Sequence, residues 1–205
     1  MSGPLPQSFY DRDAREVARD LLGKTLRHGE VRLRISEVEA YLGPADSAAH
    51  TSMGRTARNE PMWGPPGRLY VYLCYGLHQM VNIVTGAPED GQAVLIRACE
   101  PIAGLEVIKA RRGGKAGPVL LTGPGKVGAA LAADGSFNHH PLYRRGGITL
   151  AAGAPPEAII SGPRVGIDYA DEVDRLAPLR FAIADSPWVS RRRELAAFGK
   201  GPYCT

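Results

Sequence analysis

Between Ile35 and Tyr41 the chain reads I-S-E-V-E-A-Y, placing two carboxylates where a buried strand would end in apolar residues. Val31, Leu33 and Ile35 alternate with Arg32 and Arg34, the period-two mark of a strand with one buried face. Continuing that parity puts Glu37, Glu39 and Tyr41 on the same inward face. An unpaired buried carboxylate is costly. Either a bulge turns the face here and the acids are solvated, or the acids line a wet, functional pocket. The neighbours bear on the choice. Tyr41, His50 beyond a Gly43-Pro44 turn, and a Tyr-rich hairpin are residue types that hold a flat ring and activate water.

A chain of 205 residues is long enough for a substantial core, and one domain over 1–205 is expected. Hydrophobic content is 44%, with no apolar run near membrane-spanning length and no secretory leader pattern at Met1. The cysteines are Cys74, Cys99 and Cys204, an odd count without close spacing. That fits a reducing cytosol and small core or tail positions, and argues against a disulfide frame or a Cys-based zinc site. No His/Asp/Glu spacing resembles a metal site, so none is expected. The formal charge is +4, which alone does not define a nucleic-acid protein. Its distribution is more telling: Arg55 and Arg58 follow His50, Arg111, Arg112 and Lys115 follow a predicted helix, and Arg191 to Arg193 lie near the C-terminus. Such patches could converge on one phosphate backbone, or be solvated loop ends.

Asp11 to Leu22 reads as an amphipathic helix stopped by Gly23. Strands are expected over Lys24–Arg27, Val31–Tyr41, Arg68–Cys74, Gln79–Val84, Ala93–Cys99, Arg164–Ile167 and Leu179–Ile183. Pro101 can open one helix at its first turn, and a second follows Gly123-Pro124-Gly125-Lys126. Leu42 to Pro66 is a long Gly/Pro-punctuated segment of the kind that carries function or moves. Strands and helices do not alternate regularly. The expected class is therefore α+β, with a curved, mainly antiparallel sheet flanked by helices and a protruding hairpin.

Tyr75-Gly76-Leu77 sets an aromatic and an aliphatic side chain at the hairpin tip, where they either pack under a loop or act as a wedge between base steps. Tyr70 and Tyr72 share a strand face. With Tyr41 and His50 they could form a flat slot suited to a nucleobase, or be ordinary sheet tyrosines. Asn82 and Arg97 interrupt apolar strands, and an arginine there needs a carboxylate or phosphate partner; Glu39 is available. Gly123-Pro124-Gly125-Lys126 at a helix start can hold phosphate. It is not a Walker loop, because its glycine spacing is wrong and Val127 stands where Ser or Thr is required. The string L-T-G-P-G-K-V-G-A-A-L also resembles a helix-hairpin-helix signature, without the downstream context of that class.

These residues carry a wider resemblance. E-V-E-A-Y-L-G-P-x-D-x-A-A-H, M-W-G-P-P-G-R-L-Y-V-Y-L-C-Y-G, V-N-I and V-L-I-R-A-C-E-P closely resemble the alkyladenine (3-methyladenine) DNA glycosylase family. The likeness continues through L-T-G-P-G-K-V-G-A-A-L-A, P-R-V-G-I and P-L-R-F-A-I-A-D-S-P-W-V-S, from the first helix to Ser190. It implies a monofunctional glycosylase that flips damaged purines (3-methyladenine, 7-methylguanine, hypoxanthine, ethenoadenine) out of double-stranded DNA and hydrolyses the N-glycosidic bond. Glu39 matches the general base, while Arg97 and the main-chain carbonyl of Val165 match the other holders of the attacking water. Tyr41, His50 and Tyr72 match the walls of the base pocket, and Asn82 the residue that excludes the amino group of guanine. Tyr75 matches the side chain that fills the vacated place in the duplex. Leu77 stands where some members carry Met, and Gly125 where Ser is frequent. Arg55, Arg58, Gly123, Gly125 and Lys126 are expected phosphate contacts.

No cofactor and no membrane association are implied. The expected form is a monomer in the cytoplasm, at the nucleoid of a bacterium or in a eukaryotic nucleus. The alternative is a non-catalytic nucleic-acid-binding module on the same scaffold, since the fold also resembles a domain attached to a tRNA formyltransferase. Glu39 buried together with Arg97 is the feature that a binder would not need.

Overall fold

The computed structural model describes residues 3–198; Cys204 lies outside them. Helix α1 (Ala14–Leu21) begins where the Asp13 carboxylate accepts a 2.8 Å hydrogen bond from the Arg15 N–H. Asp11 and Arg12, expected inside the helix, therefore precede its cap. The strands are β1 (Thr25–His28), β2 (Val31–Tyr41), β3 (Leu69–Cys74), β4 (His78–Thr85), β5 (Gln92–Ala103), β6 (Thr149–Ala151), β7 (Ile159–Gly162), β8 (Arg180–Ile183) and β9 (Ala196–Ala197). The other helices are α2 (Leu105–Arg111), α3 (Pro124–Leu131) and α4 (Glu172–Leu176). Every described pairing between these strands is antiparallel, in the order β3-β4-β5-β2-β8-β7-β9, and β1 pairs with β2 and β6. The architecture is thus mixed α+β around one large open sheet, as the sequence implied.

Two expected elements take another form. Pro101 opens no helix; it lies inside β5 opposite Leu33. β4 pairs only with Gln92 to Leu95, so at Pro101 β5 has β2 as its named neighbour, an edge position that tolerates proline. The chain turns at Gly104, with φ 75°, before α2 begins. Arg164–Ile167 is not a strand, because the Val165 N–H bonds to a Glu39 carboxylate oxygen rather than to a neighbouring strand.

A pair of register shifts in β2 and β5 determines the rest of the molecule. Ile35 faces Cys99, Glu37 faces Ala98 and Val38 faces Ile96, so Ser36 on one strand and Arg97 on the other are left without a direct partner. Before the bulge Val31, Leu33 and Ile35 point into the core; after it Val38 and Ala40 do. Glu37, Glu39 and Tyr41 consequently leave the core face, contrary to the simple parity. The core itself lies between this face and α1, α2 and α3, with Val17, Leu21, Val71, Val81, Val94 and Ile108 fully or nearly fully buried. Helix α3 packs closely on β4 because residue 128 is glycine: a Cβ there would stand 2.1 Å from the Gln79 carbonyl oxygen.

Candidate active site

On the opposite face the register brings the chemistry together. Tyr70 lies across from Asn82, Asn82 from Leu95, and Leu95 from Glu39. Directly paired residues project to one face, so residues far apart in sequence form a single row. Tyr41, His50, Tyr70, Tyr72, Asn82 and Arg97 line a cavity of about 480 Å³, and Tyr75, Val165 and Tyr169 also border it. The ring centroids of His50 and Tyr72 are 4.6 Å apart, and Tyr70 stacks on Tyr72 at 5.3 Å. His50 Nδ1 and the Tyr70 hydroxyl share a 3.0 Å hydrogen bond. Burial, with a smaller contribution from the Arg58 charge, holds the His50 pKa below its ordinary value, so the ring is neutral at pH 7. Burial also raises the tyrosines, Tyr70 to about 12, and their hydroxyls remain donors.

Glu39 does not itself line the cavity. It is fully buried just behind the wall made by Tyr41, Arg97 and Val165. One oxygen accepts the Val165 N–H at 2.7 Å; the other accepts the Tyr41 hydroxyl at 3.1 Å and Arg97 Nη1 at 3.3 Å. Glu37, equally buried, accepts the Ser190 N–H at 2.6 Å, the Ser190 hydroxyl at 2.8 Å, Arg97 Nε at 3.3 Å and Arg180 Nη1 at 3.4 Å. Burial nevertheless pushes the Glu37 pKa up, against the pull of Arg97. Arg180 is fully buried too and extends the network to Glu194 at 3.1 Å. The acids are thus buried and neither belongs to the cavity lining. They form a paired, hydrogen-bonded array in which Arg97 bridges both carboxylates.

Behind Tyr41 sits Arg164, its guanidinium carbon 4.8 Å from the ring centroid and its fork bound by Asp46. The Ser47 hydroxyl donates to Asp174, and the Tyr169 hydroxyl donates to the Ala48 carbonyl. These bonds pin the 42–66 segment against residues 164–174. Asn59 completes the hold by donating to the His50 and Gly54 carbonyls.

The other expected site residues fall into place unevenly. Tyr75, with φ 50°, is 93% exposed at the hairpin tip and Leu77 is 77% exposed; neither packs under a loop. Asn82 donates both amide hydrogens to main-chain carbonyls, of Tyr70 and Met80, which fixes the orientation of its side chain. Gly123, Gly125 and Lys126 start α3, whose Pro124 borders the cavity. At Gly125 a Cβ would stand 2.7 Å from His78 Cβ, so the His78 side chain fills the space that a Ser there would need. Arg55 is not free for a phosphate in this state, because it bonds to Glu60 and Glu89. Arg58 lies at the cavity wall, 5.3 Å from the Tyr72 ring centroid. Three of the four histidines outside the site have polar partners: His139 pairs with Glu60, His140 meets the Ile148 carbonyl and His28 the Leu131 carbonyl.

Sequence reasoning missed Ser190, Arg180, Arg164 and the holding role of Glu37. Only Glu37 carried a local signal, its two-residue spacing from Glu39. The carboxylates that the other three meet at the site, Glu37 and Asp46, lie more than a hundred residues away from them.

The fold and this site have counterparts. The family model described as methylpurine-DNA glycosylase matches residues 8–187. A Nitrosococcus oceani protein provisionally named a 3-methyladenine DNA glycosylase is 60% identical over 195 residues, covering 95% of this chain and 97% of the relative. An Arabidopsis thaliana DNA-3-methyladenine glycosylase is 53% identical over 188 residues, covering 91% of this chain and 74% of that protein. The class is that of the DNA N-glycosylases, enzymes that act on DNA. Within it, the chain belongs to the methylpurine-DNA glycosylase family.

Proposed function

We propose that the protein excises damaged purines from duplex DNA, 3-methyladenine foremost and 7-methylguanine, hypoxanthine and ethenoadenine with it, acting as a monomer. The observation that carries this reading is Glu39, clamped by Val165, Tyr41 and Arg97 directly behind an aromatic slot. The damaged nucleotide rotates out of the helix and its base enters between Tyr41 and the His50–Tyr72 wall. Tyr75, already exposed, fills the place left in the duplex.

An ionised carboxylate has about four acceptor positions. Three are taken, by Val165, Tyr41 and Arg97, which leaves Glu39 able to accept one proton from water. As that proton moves to Glu39, the water oxygen bonds C1′ and the C1′–N9 bond breaks, its electron pair leaving with the base. A cationic alkylpurine departs neutral; a neutral purine takes up one proton from solvent on its ring as the bond breaks and so also departs as a neutral base. No Schiff base is formed, so the product is an abasic site in an intact strand.

The test is direct. Duplexes carrying one 3-methyladenine, hypoxanthine or ethenoadenine are incubated with the protein, then heated in alkali. Strand breaks at the lesion that appear only after alkali support the reading. Breaks without alkali, or none after it, contradict it.

A further inference from the structure

Four arginines lie at the aromatic slot or in the segment that follows His50, and three of them are neutralised. Arg97 is shared between Glu37 and Glu39, Arg164 is bound by Asp46, and Arg55 by Glu60 and Glu89. Arg58 is the fourth. Among the described residues no carboxylate lies within ion-pair distance of it, and its guanidinium sits over Tyr72 on the cavity wall. Its charge reaches both His50 and Tyr70. The slot therefore carries one uncompensated positive charge against the rings that would hold the base.

Resting on the reading of the slot as a purine pocket, we infer that Arg58 determines substrate specificity by ranking damaged purines according to charge and acceptor pattern. Purine lesions fall into two electrostatic classes. Alkylation at a ring nitrogen, as in 7-methylguanine, makes the base in DNA a cation, whereas hypoxanthine and ethenoadenine are neutral. A fixed cation at the wall repels the first class. It is attracted to the lone pairs of the second, and the arginine fork matches the adjacent O6 and N7 acceptors of a purine. Hypoxanthine keeps both acceptors; in 7-methylguanine the methyl group blocks N7. Arg58 is exposed, so solvent screens the effect, and a discrimination of roughly three- to tenfold is expected from Coulomb's law at a high effective dielectric constant. Retention of the charge also matters as the bond breaks. Electron density that develops on a departing neutral purine is stabilised beside a guanidinium, which favours the slower leaving group.

The experiment compares wild type, Arg58→Met and Arg58→Lys in single-turnover excision of hypoxanthine and 7-methylguanine from otherwise identical duplexes, at two salt concentrations, with thermal melts as a folding control. Arg58→Met should lower the hypoxanthine to 7-methylguanine rate ratio by roughly three- to tenfold, by slowing the first and sparing or speeding the second. Arg58→Lys keeps the charge and loses the planar fork, so it should give a ratio between those of the wild type and Arg58→Met. An equal loss on both lesions with a shallower salt dependence would make Arg58 a phosphate contact and overturn the inference. Unchanged rates on both would make it a solvated arginine and overturn it equally. If the wild type excised neither lesion, the purine-pocket reading would fall and the inference with it, whereas intact excision with an unaltered ratio removes the inference alone.

Discussion

On β2 two carboxylates are fully shielded from solvent, while at the end of the β3–β4 hairpin Tyr75 is 93% exposed and Leu77 77%. The usual distribution of charge and apolar surface is reversed in both regions. The reversals are maintained differently. Glu37 and Glu39 remain buried because each is met by several donors drawn from β5, β8 and the segments around Val165 and Ser190. Tyr75 remains exposed because the tip makes few contacts that would fold it back, and its backbone adopts φ 50°, which few residues tolerate. The first region is a rigid array that needs the whole sheet. The second is a local feature that needs only its turn. Changes in the array should therefore disturb stability and chemistry together, and changes at the tip should disturb binding alone.

The largest effect should follow from breaking the array. Arg180 is fully buried between Glu37 and Glu194, and Arg180→Leu leaves Glu37 with one cation fewer. A loss of about 3–5 kcal/mol is expected for an uncompensated buried charge, measured as the shift in urea unfolding. A loss within the ordinary surface range would mean that the buried charges are not held as a unit.

The tip should behave in the opposite way. Tyr75→Ala should weaken binding to a lesion duplex by about 1–3 kcal/mol, less for the same lesion in a single strand, with the melting temperature almost unchanged. A large melting shift would make the tip part of the core and erase the contrast.

A smaller effect is expected between the two regions, at Asn82. Its amide is fixed by two main-chain carbonyls, and Asn82→Ser removes that wall. Discrimination between guanine and hypoxanthine in excision assays should fall by about tenfold, the scale of one lost group in a binding pocket.

The smallest should come from His50. Its folded pKa lies below the unfolded value of 6.5, so its contribution to stability is complete above pH 6.5 and is lost as pH falls toward the folded value. Melting temperatures recorded between pH 7 and pH 5 should decline less steeply in His50→Gln than in wild type.

How much of this was legible in the sequence follows the same division. Local features were read well: the β2 span, the β3–β4 hairpin and the end of α1 before Gly23, because each depends on a few adjacent residues; the start of α1 was set too early, since Asp13 and not Asp11 caps it. The pairing of Arg97 with Glu39 was also legible, since a charge in an apolar strand demands an opposite one. The bulge was not. A one-residue insertion reverses every side chain beyond it, and nothing in I-S-E-V-E-A-Y distinguishes a bulged strand from a regular one. The donors from Ser190, Arg180 and Arg164 were invisible for a related reason: they reach β2 through the fold, not through spacing. Pro101 misled because proline at a helix start and proline on a strand with one free side look alike in sequence.

The central claim is that a fully buried Glu39 performs the chemistry while the rings and the tip perform the binding. Glu39→Gln keeps the shape and removes the base, so it separates the two most directly. Single-turnover excision of hypoxanthine by this variant should fall by roughly two to four orders of magnitude, while its Kd for the same duplex stays within about threefold of wild type. Excision near the wild-type rate, or loss of binding in step with loss of excision, would contradict the account.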